Sequence, residues 1–174
     1  LSRQTLYYED DVGKPKVDVA RARLHEINPK IGYDAAPARL SYDNTHLLDC
    51  ALVLDCSDNE ETRQMINRYC VKNNIPWIYC TVAGEYGLVK LVEKGKACYE
   101  CVYQKEKRPE TAADIGVISP AVHMASAIQV SFAEKVLTKK SVPDQLISLD
   151  CWQMKVKGID VKRDKRCRIC GQGR

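Results

Sequence analysis

Four of the nine cysteines stand in two pairs of identical spacing, Cys98-Tyr-Glu-Cys101 and Cys167-Arg-Ile-Cys170. Two such knuckles supply the four thiolates that tetrahedral zinc favours. A site filled by sulfur alone keeps no position open for water, so the expected metal is a structural zinc. Compact zinc ribbons separate their pairs by about 15–20 residues. Here 65 residues intervene, which makes the expected zinc a staple between distant stretches of chain. Two unrelated reduced pairs are the blander alternative. Redox exchange is the weaker one, because neither pair opens a helix directly after a strand.

A second set of chemically capable residues is scattered. Arg3 and Gln4 stand shortly before Val12-Gly-Lys-Pro-Lys16, and Asp58-Asn59 follows an apolar run with Arg63 one turn further on. Each has an ordinary explanation: Arg3 as a surface cation, Lys16 as a solvated helix position, Asp58 as the cap of a helix starting at Glu60. His25, His46 and His123 have no second ligand at helical spacing and read as ordinary side chains.

The elements that must position these groups follow from periodicity. Val17, Ala20, Leu24 and Ile27 recur at steps of three and four, predicting an amphipathic helix over Pro15–Ile27 that packs on something flat and stops at Asn28-Pro29. Ala51–Asp55 is a short apolar run of the kind buried in parallel sheets, followed by the polar turn Cys56–Asn59. A helix from Glu60 to about Lys72 and a strand over Pro76–Cys80 come next. Helix, strand, helix, strand implies a doubly wound α/β sheet with right-handed crossovers. Strands are then expected at Tyr86–Val92 and over Gln145–Val161, around one long helix from Ser119-Pro120 in which Gln129 interrupts the apolar stripe. The sheet is therefore mixed, parallel and antiparallel, toward the C-terminal half. Residues 104–114 are charged, poor in large apolar side chains and contain Pro109, and are the expected mobile loop. There is no internal repeat.

With 174 residues, 45% hydrophobic and 29% charged, the chain has the composition of a globular domain able to bury a core. No apolar run is long enough to cross a bilayer, and no membrane partner is expected. Net charge is +4, but residues 155–174 carry +6, which leaves the rest at −2. The basic tail has no interleaved aromatic platform, which argues against nucleic acid. Nine cysteines are an odd number, and Cys50, Cys56, Cys70 and Cys80 lie in apolar stretches, a usage that fits a reducing compartment and a cytoplasmic protein. The chain opens on Leu1 rather than methionine, so an upstream segment is expected.

Taken in order, R-Q, L-Y, D-V-G-K-P-K, N-P, L-V-L-D-C-S-D-N, T-R, A-C-Y-E-C, G-V-I-S-P and C-x-x-C-G resemble the adenylating enzymes related to ubiquitin-activating enzymes, the ThiF, MoeB and HesA group. The resemblance runs from Leu1 to Gly171. It implies a Rossmann-like fold in a single adenylating domain, and a homodimer that binds ATP and magnesium. It further implies that the dimer activates the C-terminal glycine of a ubiquitin-like or sulfur-carrier protein as an acyl-adenylate, releasing pyrophosphate. Arg3 and Gln4 then match the phosphate-binding motif and Lys16 the helix lysine that reaches the phosphates. Asp58 matches the magnesium-binding aspartate, Asn59 would line the nucleotide pocket, and Arg63 would support it. Cations on the triphosphate and a metal-holding carboxylate are what the attack of one anion on another demands.

The departures are specific. The family's glycine-rich loop and ribose-binding acid lie upstream of the R-Q motif, so the first nucleotide-binding β-α unit is outside this sequence. Members that pass the activated tail to sulfur carry a cysteine shortly before G-V-x-x-P, where this chain has Ala112. Adenylation without a thioester step is therefore expected, and Cys80 and Cys151 read as core thiols. Two rivals stand beside it: a noncatalytic zinc-stapled dimer that docks a carrier tail, and a nicotinamide-dependent oxidoreductase, for which Lys16, Asp58 and the knuckles have no use.

Overall fold

Pro15 fixes φ at −59° just ahead of helix α1 (Lys16–Ile27), and the chain turns out of the helix at Asn28, next to Pro29, in the computed structural model, which describes residues 1–103 and 112–171. The chain divides into two compact units, Leu1–Leu40 and Ser41–Arg174. In the first, Arg23 of α1 reaches back to Asp11 at 2.5 Å and to the Leu6 carbonyl, and its guanidinium lies 4.0 Å from the centroid of the Tyr8 ring. These contacts tie the 3₁₀ turn Glu9–Asp11 to the helix. Asp11 is held below the ordinary carboxylate range, chiefly by the Tyr8 N–H and then by Arg23. No residue of α1 is fully buried and Ile27 is exposed. Forty residues enclose too little volume to bury a helix face completely.

The second unit is an α/β structure around one five-stranded mixed sheet in the order β1-β2-β3-β4-β5. Strand β1 (Val53–Leu54) runs parallel to β2 (Trp77–Ala83), with Val53 opposite Trp77. It is shorter than the predicted Ala51–Asp55, although Asp55 still donates to the Ile78 carbonyl at 3.1 Å. Between them lies α2 (Glu60–Asn73), which ends where Asn74 takes a left-handed φ of 55°. Strand β3 (Tyr86–Val92) is antiparallel to β2 in the predicted bounds, and Gly84 at φ 56° begins the reversal.

One expectation is overturned. Residues 145–161 form two strands, β4 (Gln145–Asp150) and β5 (Lys155–Asp160), paired antiparallel as a hairpin. The Asp150 carboxylate accepts from Gln153 N at 2.9 Å and Met154 takes a φ of 53°, so an aspartate turn does the work without glycine or proline. Trp152 and Met154, whose spacing suggested a continuing strand, are instead 73% and 76% exposed.

Helices cover both faces of the sheet, as in doubly wound folds. On one face α5 (Ser119–Leu137) packs Ala121, Ala125 and Phe132 against Ile78, Val89, Leu91 and Leu149. On the other, Trp77 and Tyr79 meet Tyr99 and Tyr103 of the short α3 (Tyr99–Tyr103), and Arg63 of α2 stands over Tyr79. Of the expected loop, 104–111 lies outside the described residues and Ala112–Ile115 forms the short helix α4. Among the described residues no helix is long and apolar enough to cross a membrane.

Candidate functional site

Strand β1 delivers the loop Cys56–Asn59 to the carboxyl end of the parallel pair, the place where open α/β sheets receive ligands. Asn59 is the residue that caps α2, its Oδ1 accepting from Thr62 N at 2.9 Å. The capping explanation for Asp58 is thereby removed. Asp58 is exposed, and its carboxylate has one weak partner in the loop, Asn59 Nδ2 at 3.5 Å.

Buried groups hold that loop. Asp55 Oδ1 accepts from both the N–H and the hydroxyl of Ser57, at 2.9 and 2.6 Å. Arg63 donates to the Ser57 carbonyl at 2.6 Å and faces the Asp55 carboxylate at 3.4 Å. Burial pushes the Asp55 carboxyl above its ordinary value, against the Ser57 donors and the Arg63 charge. From the opposite face, Gln129 donates to the carbonyls of Asp55 and Ile78 at 2.9 and 3.1 Å, so the polar interruption in α5 fastens β1 to β2.

In the first unit Arg3 and Lys16 are exposed. Tyr7 connects their segments: its N–H donates to the Gln4 carbonyl at 3.1 Å and its hydroxyl to the carbonyl of Lys16 at 3.2 Å. The segment carrying Arg3 is thereby tied to the start of α1, where Lys16 stands.

The two knuckles come together. The Sγ atoms of Cys98, Cys101, Cys167 and Cys170 all lie within 4.8 Å of one another. Successive separations are 3.9 Å (Cys98–Cys101), 3.7 Å (Cys98–Cys167) and 3.4 Å (Cys101–Cys170). Four sulfurs bonded to zinc at about 2.3 Å sit about 3.8 Å apart, so the donor set and its spacing fit that ion. The hydrogen bond with Cys98 draws the Cys101 thiol well below its usual range, burial opposes this, and the Asp164 N–H adds to it. Arg168 pairs with Glu100 at 2.7 Å and so links the knuckles again. Gly171 has no room for a side chain, since a Cβ there would stand 2.4 Å from the Cys167 carbonyl oxygen.

Cys80 packs on the α5 core and Cys151 is buried within it, as read from the sequence; burial pushes the Cys80 thiol up to about 12. The three histidines are exposed, and among the described residues the cysteine group is the one cluster suited to a metal. Sequence reasoning missed the Asp55–Arg63 pair and the link from Tyr99 Oη to Glu60 Oε2 at 2.5 Å. The first had a signal: Asp55 is an acid closing an apolar run, eight residues from an arginine on the following helix.

The model of the ThiF family matches residues 1–169. The sulfur carrier protein ThiS adenylyltransferase of Bacillus subtilis (strain 168) is 35% identical, over 98% of this chain and 53% of its own length. The protein of the same name from Escherichia coli (strain K12) is 31% identical over 98% of this chain and 70% of its own. The molybdopterin-synthase adenylyltransferase of Salmonella typhimurium is 30% identical over 99% and 72%. Among solved structures, E. coli MccB with succinimide superimposes at a TM-score of 0.82 with 26% identity, over 99% of this chain and 55% of that one. The chain thus spans about half the length of MccB and of the B. subtilis relative.

Proposed function

The chain belongs to the ThiF family, and from that premise we propose that the protein adenylates the C-terminal glycine of a ubiquitin-like or sulfur-carrier protein at the expense of ATP. The observation that carries the reading is the Asp58-Asn59 loop. It stands at the carboxyl end of β1, is fixed from beneath by Asp55, Ser57 and Arg63, and leaves the Asp58 carboxylate exposed. Relatives named as adenylyltransferases of ThiS and of molybdopterin synthase support the substrate class.

In this reading the carrier's terminal carboxylate attacks the α-phosphate of ATP, the bond to the β-phosphate breaks, and pyrophosphate leaves. Arg3 and Lys16 hold the phosphates and offset the charge that develops on them, and Gln4 and Asn59 contact the nucleotide. Asp58 holds a magnesium ion, which when bound neutralises phosphate charge. The four cysteines hold zinc as a structural tie. Ala112 in place of a cysteine leaves the cycle at the adenylate. We place the working protein in the cytoplasm as a homodimer.

The test is carrier-dependent exchange of labelled pyrophosphate into ATP by the full-length protein. Lys16→Ala and Asp58→Ala should each cost about a hundredfold or more, the scale of losing a preorganised charge stabiliser. Full exchange in both variants contradicts the assigned roles. Carrier binding that needs neither ATP nor magnesium, with no exchange, would instead identify a docking module, the reading that Ala112 favours.

A further inference from the structure

At the end of α2 remote from Asp58 the structure has a second concave surface, a cleft of about 680 Å³. Three stretches wall it: the last turns of α2 with Asn74 and Ile75, the turn after β3 around Gly95, and the second cysteine knuckle. The first residue of α2 to line the cleft, Arg68, comes eight residues after Glu60, so about 12 Å of helix separates the cleft from the Asp58 loop. It belongs to a different surface from the one to which the adenylating chemistry is assigned.

Its lining is cationic. Arg68, Lys72, Lys94, Lys96, Arg163 and Arg168 face it, with Glu93 as the one acid. Some of that charge has a partner already: Lys96 pairs with Glu93 at 2.7 Å and Arg168 with Glu100 at 2.7 Å. Arg163 donates to the Cys170 carbonyl, yet its Nε is buried with no hydrogen-bond partner. Arg68, Lys72 and Lys94 make no ion pair with any described residue. The last turn of α2 and a cluster of cysteine thiolates both favour nearby positive charge. They account for one or two of these cations, not for six around one cleft.

The chemistry of the lining selects among anions. No aromatic ring contributes, so there is no platform for a nucleobase. The cations without an ion-pair partner among the described residues are two lysines and one arginine, charges that attract carboxylate and phosphate alike, so the selection among anions falls to the rest of the lining. Between them lie Val71, Ile75 and Ile169, half-buried aliphatic surface that a small inorganic anion would leave uncovered. We propose that this cleft is a docking groove for an extended acidic peptide segment of a protein partner, one in which aspartates or glutamates alternate with aliphatic residues. The knuckle forms one wall, so occupancy of the groove is tied to the integrity of the cysteine site.

Fluorescence anisotropy with the zinc-loaded full-length protein tests this, using a labelled twelve-residue peptide of alternating Glu and Leu. Binding should weaken as salt rises from about 50 to 300 mM. It should weaken by about tenfold or more in a Lys72→Glu, Lys94→Glu variant whose zinc content and circular dichroism match the parent. It should also be lost on chelation. The proposal is overturned if a Gln/Leu peptide binds equally well or if the double variant keeps parental affinity. It is equally overturned if tripolyphosphate or a single-stranded oligonucleotide binds more tightly than the peptide. Pyrophosphate exchange is read in parallel: unchanged exchange in the double variant separates this groove from the adenylation reading, which stands or falls on its own assay.

Discussion

Asp55 is 1% exposed and Arg63 6%, and their charged groups face each other at 3.4 Å beneath the loop that presents Asp58. A buried pair of this kind contributes little over an apolar replacement, but removing one member strands the other. Arg63→Met should therefore cost about 3–5 kcal/mol in urea unfolding at neutral pH, and Asp55→Leu combined with Arg63→Met should recover much of it. The pH dependence has a definite sign. A carboxyl whose folded pKa lies above its ordinary 3.8 contributes stability that is complete below that value and is lost as pH rises through the folded pKa. Without Arg63 that folded pKa moves higher, so the variant's deficit should be smaller at pH 5 than at pH 7. An equal deficit at both would deny the ionic coupling. The cysteine cluster was legible because its four members carry their chemistry in their side-chain type and paired spacing. Asp55 and Arg63 were not, because what they do depends on burial, which spacing alone does not report.

Gln129 is the clearest case at the scale of elements. It is buried in the apolar face of α5 and satisfies two strand carbonyls, from Asp55 and Ile78. Gln129→Leu should leave the Asp55 carbonyl desolvated and unpaired, at about 1–3 kcal/mol, while the Ile78 carbonyl keeps the Asp55 N–H. Hydrogen exchange should show the loss first at the amides of Val53 and Asp55, while a uniform loss across the sheet would assign Gln129 a packing role only. Element types could be read wherever periodicity was long, as in α2, α5 and β3. The β4–β5 hairpin could not, because its turn holds neither glycine nor proline, a single aspartate is a weak turn signal, and the left-handed residue is Met154. Strand β1 shrank to two residues although Asp55 N still bonds the Ile78 carbonyl, because the Asp55 carbonyl is taken by Gln129 rather than by β2.

Over the whole molecule, the cysteine cluster joins residues 69 apart in sequence, Cys98 and Cys167. By the loop-closure argument used for disulfides, a tie of that span stabilises by about 4 kcal/mol. Metal analysis should find one zinc per chain, and chelation should lower the melting temperature and release the segment after β5 to proteolysis. No change on chelation would make the cysteines a packed but unmetallated group. The cysteine cluster was legible from two matching pairs; the cationic groove it walls was not, because Arg68, Lys94 and Arg168 meet only through the fold. The account as a whole rests on carrier adenylation, and intact mass reads it directly. The full-length protein is incubated with ATP, magnesium, pyrophosphatase and a carrier ending in glycine. The carrier should gain the mass of one adenylyl group, and hydroxylamine should remove that gain. A carrier that stays unmodified while bound to protein and ATP would contradict it.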